Sequence, residues 1–77
     1  MKNTNLETAR IGKRLTQEQL ALRVGISLRG YKTYEAGERI PRADVAIRIA
    51  GALDSTVEAL FGAKGQTKRT AKGEKSQ

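Results

Sequence analysis

The apolar positions of this 77-residue chain recur at intervals of three and four, with no run alternating at the period of two that marks a half-buried strand. The pattern predicts an all-α protein. It is clearest over residues 15–37, LTQEQLALRVGISLRGYKTYEAG. Thr16 followed three residues later by Gln19 has the form of a capping box, so a helix should start there. Leu20, Ala21 and Val24 line one side of its roughly two turns. Gly25 follows, at the place where a left-handed residue ends a helix and glycine fits best. Ser27 suits the N-cap of a second helix that runs to about Ala36 and stops at Gly37. Two short helices, a tight glycine turn and a small Ala21 where they approach describe a helix-turn-helix.

The flanks are also helical. Residues 1–4 are polar and read as frayed, and Asn5 is the expected cap of a first helix over about 6–13. Leu6 and Ala9 lie one turn apart on it, and Gly12 weakens its end by up to about 1 kcal/mol. Beyond the central pair, Pro41 discourages helix at Ile40. Val45, Ala46, Ile49, Ala50 and Leu53 then mark a fourth helix over about 42–53, with Ile47 flanking the stripe and Gly51 a mild local conflict. Asp44 in its first turn suits the helix dipole. Asp54, Ser55 and Thr56 form a connector. Thr56 can cap a fifth helix over 57–61, whose apolar side is Val57, Leu60 and Phe61. Residues 1–61 thus read as one compact five-helix bundle, and 62–77 (GAKGQTKRTAKGEKSQ) as a basic, disordered tail with no apolar anchor.

Composition narrows the function. Fifteen Lys and Arg against eight Asp and Glu give a net charge of +7, which favours a polyanionic partner. The tail supplies +4 of this, so the folded part is only mildly basic. There is no cysteine and no histidine. Disulfides, thiolate or imidazole metal sites and catalysis that needs either residue are excluded. No cluster of nucleophile, base and metal ligands is present, so neither an enzyme nor a cofactor nor a small-molecule ligand is expected. No run approaches the roughly twenty apolar residues that span a bilayer, and no apolar signal core follows Met1. The chain reads as soluble and cytoplasmic, without a membrane partner.

The run LTQEQLALRVGISLRGYKTYEAGERIP, followed by IRIAGALDSTVEALF, resembles the Cro and phage-repressor type of helix-turn-helix protein, also called the xenobiotic-response-element family. Leu15, Thr16, Gln17, Leu20, Ala21, Gly25, Ile26, Ser27, Glu35, Gly37, Pro41, Ile49, Ala50 and Leu53 fill the family's pattern, and the match covers roughly residues 6–61. The resemblance implies a DNA-binding domain of the phage-repressor type, acting as a homodimer on a partly palindromic double-stranded operator. A repressor that blocks a promoter by occupying it is the leading reading. An antitoxin-like module that binds a protein as well as DNA is the alternative, and it would need the tail as its docking segment.

The resemblance also assigns roles. Gln17, at a helix N-terminus, falls where the family approaches a phosphate. Leu28, Arg29, Lys32 and Thr33 match its base-reading positions. Arg29 is the strongest of these, because a guanidinium can engage both major-groove acceptors of guanine at once. Thr33 can touch a thymine methyl or accept a hydrogen bond, and Lys32 can equally reach a phosphate. Leu28 departs from the usual polar residue and can meet only an apolar feature. Arg39 and Arg42 flank Pro41 in a loop expected along the DNA backbone, with Lys13 and Arg14 as lesser phosphate candidates. Arg10 and Glu35 look like the family's internal ion pair. Val57, Leu60 and Phe61 fall where related dimers associate. Tyr31 and Tyr34 should face inward, each hydroxyl then needing a partner. Gly30 between them suggests close approach, to DNA or to Tyr31.

Overall fold

The computed structural model describes residues 2–62, which form five helices. In order they are α1 (Thr4–Gly12), α2 (Gln17–Val24), α3 (Leu28–Glu35), α4 (Ala43–Ala52) and α5 (Val57–Phe61). The disorder expected of 62–77 concerns, apart from Gly62, residues outside this range. Among the described residues there is no strand, and no helix is long and apolar enough to cross a membrane.

Each helix buries the stripe its sequence encodes. Leu6 of α1, Leu20 of α2, Tyr31 of α3, Ile49 of α4 and Phe61 of α5 are the largest fully buried side chains and meet in one core. α2 packs on both α3 and α4, α1 on α3 and α5, and α4 on α5. Ala21, Ala46 and Ala50 are buried where larger residues would hold the helices apart. The capping box at α2 is complete: Thr16 Oγ1 accepts from the Gln19 amide while Gln19 Oε1 accepts from that of Thr16.

The first four helices end in the same way, on a residue with positive φ whose successor donates its amide back to the carbonyl five residues earlier. Those residues are Arg14, Gly25, Gly37 and Asp54. Gly25 and Gly37 need no side-chain accommodation there. Arg14 and Asp54 hold the left-handed conformation at a steric cost of about 1–2 kcal/mol each. Their neighbourhood ties the two turns together, because Lys13 is paired with Asp54.

The N-terminus corrects the expectation of fraying. The cap of α1 is Asn3, not Asn5, and Asn3 is 7 % exposed. Its Oδ1 accepts from the Leu6 amide at 3.0 Å, and its Nδ2 donates to the Leu60 carbonyl at 2.9 Å. Its own amide donates to the Glu35 carbonyl at 2.9 Å. One side chain therefore starts α1 and fastens it to α5, and the adjoining backbone fastens it to α3. Asn3→Asp keeps the cap but removes the donor and sets a charge against a carbonyl. A loss of about 2 kcal/mol is expected in a denaturant titration, larger than a capping exchange alone produces.

Candidate nucleic-acid interface

α3 is anchored from inside. Ser27 Oγ accepts from the Gly30 amide at 2.9 Å, and Tyr31, one turn along, is fully buried. The opposite side of the helix is left to solvent. Leu28, Arg29, Lys32 and Thr33 line a single shallow groove there, completed by Ala36 and Glu38. The four candidate base-reading residues are thus brought together. Leu28 and Thr33 are half-buried, while Arg29, Lys32 and Glu38 are exposed. Arg29 makes no hydrogen bond or ion pair among the described residues. Glu38 was not singled out by the sequence pattern, since it follows the helix. Its place in the groove depends on the turn at Gly37, which folds the chain back so that the Glu38 amide donates to the Thr33 carbonyl at 2.9 Å. A Cβ at Gly30 would lie 3.1 Å from Ser27 Oγ, a close contact with the cap.

Behind this face, Glu35 is the hub of a buried polar cluster. Arg10 Nε donates to its Oε2 at 2.8 Å and Arg10 Nη2 to its Oε1 at 3.2 Å, a two-pronged contact. Tyr31 Oη donates to Oε2 at 2.6 Å and Gln17 Nε2 to Oε1 at 2.8 Å. Arg10 Nη1 continues to the Leu15 carbonyl at 2.7 Å. The cluster joins α1, α2 and α3 at the base of the exposed face. Burial alone would raise the Glu35 pKa, but hydrogen bonds from Arg10, Tyr31 and Gln17 outweigh it and hold the carboxyl below its ordinary range. Burial, then the hydrogen bond to Glu35, pushes the Tyr31 phenol above its ordinary value. The Arg10 guanidinium is held more firmly protonated, chiefly by its hydrogen bond to Glu35. Tyr31 was legible as a core residue whose hydroxyl needed a partner; its joining Arg10 and Glu35 was not.

Gln17 therefore has two sides. One amide proton is committed to Glu35, and the side chain lines a second groove with Lys2, Glu7, Arg10, Lys32, Glu35 and Ala36. Lys32 borders both grooves. Lys13 and Arg14 line neither. Lys13 is engaged by Asp54, whose carboxyl is held below its ordinary range by that hydrogen bond, and Arg14 occupies the strained turn. Both are exposed but stand apart from the α3 face.

Arg39 and Arg42 are exposed on either side of buried Pro41. Arg42 is the N-cap of α4 and makes no capping hydrogen bond, a poor choice for that position on local grounds. The only partner of its side chain among the described residues is Asp44, at 3.5 Å and exposed. Arg42→Ser should raise stability by about 1 kcal/mol, seen as a higher thermal midpoint, while weakening DNA binding uniformly across sequences. A variant that gained stability with no loss of DNA affinity would remove Arg42 from the interface.

The apolar side of α5 is mostly consumed within the chain. Leu60 and Phe61 are 3 % and 2 % exposed and pack in the core, which leaves little of either at the surface to meet a partner copy. α5 closes the core between α1 and α4, and of Val57, Leu60 and Phe61 only Val57, half-buried against that core, keeps surface to share.

Comparison with known proteins agrees with this geometry. A helix-turn-helix family model matches residues 6–60. The chain belongs to that family, the Cro and phage-repressor type of helix-turn-helix domain, a non-enzymatic DNA-binding class. It is similar to the cryptic phage CTXphi transcriptional repressor RstR of Vibrio cholerae serotype O1 (strain ATCC 39315 / El Tor Inaba N16961). The two are 45 % identical over 47 residues, 61 % of this chain and 42 % of that protein. It is also similar to YqaE of Bacillus subtilis (strain 168), an uncharacterized HTH-type transcriptional regulator. That match is 36 % identical over 67 residues, 87 % of this chain and 56 % of the relative. The chain spans about half the length of these relatives.

Proposed function

We propose that this protein is a sequence-specific transcriptional repressor that binds double-stranded DNA in the cytoplasm, with α3 in the major groove. The observation that carries this is the α3 groove itself. Arg29, without a side-chain partner among the described residues, stands beside half-buried Leu28 and Thr33 on a helix fixed from behind by the Glu35 cluster. Arg29 is the guanine-reading residue, and Lys32, Thr33 and Leu28 complete the reading face. Gln17, Arg39 and Arg42 meet phosphates and set the register of α3, with Lys13 and Arg14 adding only general attraction. RstR carries the name of a transcriptional repressor and YqaE that of a transcriptional regulator, which supports the same role for this chain.

The operator is partly palindromic and is bound by a homodimer with Val57 near the contact. Selection from a random DNA pool tests this directly. The expected product is a pair of inverted half-sites about 10 base pairs apart, one helical turn. Failure to enrich any sequence over bulk DNA at physiological salt overturns the reading, leaving only charge-driven binding.

A further inference from the structure

The Thr33 hydroxyl is already spent. Its Oγ1 donates to the Gly30 carbonyl at 2.6 Å, one turn back along α3, which fixes the rotamer and removes the only proton the side chain could offer a base. What the side chain still has to offer a base is a methyl group and an oxygen lone pair. Leu28, the other half-buried lining residue, has no polar side-chain atom, and Ala36 adds a further methyl. The inner part of the groove is therefore apolar and donates no hydrogen bond, while the charges of Arg29, Lys32 and Glu38 belong to the exposed residues around it.

Only one base pair presents an apolar group in the major groove: thymine, through its 5-methyl. An acceptor-rich guanine edge over the same spot would lose its water and find no donor there. We propose that Thr33 and Leu28 form a thymine-methyl reader, with Thr33 acting through its methyl and not its hydroxyl, so that each half-site carries an obligatory thymine beside the base read by Arg29. This rests on the reading of the α3 face as a major-groove surface. The rival chemistry, Thr33 accepting from an adenine or cytosine amino group, uses the same residue and makes the opposite prediction for its variants.

The experiment takes the operator selected above and replaces its thymines singly by deoxyuridine, which lacks only the methyl. Binding is measured for the full chain and for Thr33→Val, Thr33→Ser and Leu28→Ala, each checked for folding by its thermal midpoint. One thymine per half-site should lose about fourfold in affinity on the change to deoxyuridine, the worth of one buried methyl group. Thr33→Val should keep that discrimination, and Thr33→Ser should flatten it toward unity although it keeps the hydroxyl. Leu28→Ala should reduce it independently of any change at residue 33. The proposal is overturned if every thymine tolerates deoxyuridine, or if Thr33→Ser retains the preference and Thr33→Val loses it. An operator with no thymine beneath α3 overturns it as well. In these cases sequence-specific binding still stands, whereas a selection that enriches nothing removes the DNA-reading function first.

Discussion

Glu35→Gln is expected to destabilise the domain by about 3–5 kcal/mol, although the two side chains have nearly the same shape. The change removes the negative charge that faces Arg10, and an uncompensated guanidinium in a largely buried site is the costly species. Arg10 sits with its side chain 12 % exposed and Glu35 with 4 %, so water screens neither effectively. A domain of about sixty residues has a total stability of roughly 3–9 kcal/mol. The single variant should therefore populate the unfolded state substantially, read as a sharp fall in the urea midpoint. The combined variant Arg10→Met, Tyr31→Phe, Glu35→Leu should recover much of the loss, because an apolar replacement of a buried ion pair is often neutral or stabilising. Recovery of folding without recovery of specific DNA binding would show that the cluster also sets how α3 projects.

The same cluster predicts the pH profile. The Glu35 carboxyl is held below its ordinary range, so its contribution is present above about pH 4–5 and is lost as pH falls through the lower folded value. The Tyr31 phenol is raised, so its contribution is present below about pH 10 and is lost as pH rises beyond it. Stability measured by denaturant titration should form a plateau between these limits. The acid limb should shrink in Glu35→Gln and the alkaline limb in Tyr31→Phe.

Arg29→Ala is the largest expected effect on function. The side chain is exposed and has no partner among the described residues, so the thermal midpoint should not move. Loss of a bidentate guanine contact should instead remove about 1–3 kcal/mol of discrimination at one base pair of each half-site, a factor of roughly 5 to 150. Binding to unrelated DNA should persist and stay salt-sensitive, because the proposed phosphate contacts of Arg39 and Arg42 are untouched by the change. The measurement compares the operator with a version changed at that base pair. A uniform fall on both would make Arg29 a phosphate contact.

Much of this was legible because it is local. Thr16 with Gln19, Ser27, Gly25 and Gly37 mark helix ends by chemistry that acts within a few residues, and the structure places those caps and turns where that chemistry puts them. The boundaries that moved involve long-range partners or disfavoured conformations. Asn5 and Asn3 are the same residue type two positions apart. Asn3 is the cap because Leu60 and the end of α3 lie beside it, and nothing in the first ten residues encodes that. Arg14 and Asp54 end their helices without the glycine that would announce it.

The interface divides in the same way. Periodicity and resemblance together were enough to gather Leu28, Arg29, Lys32 and Thr33 on one face of α3, since helical geometry fixes which residues share a side. The sequence by itself determined the helical class, the core stripe and that face. The tertiary structure alone decided how each polar atom is committed. Gln17 gives one amide proton to Glu35, Lys13 is held by Asp54, and Leu60 and Phe61 are absorbed in the core. The reason is physical. Periodicity records which side of a helix loses water, but a hydrogen-bond partner depends on which distant segment comes to rest beside it.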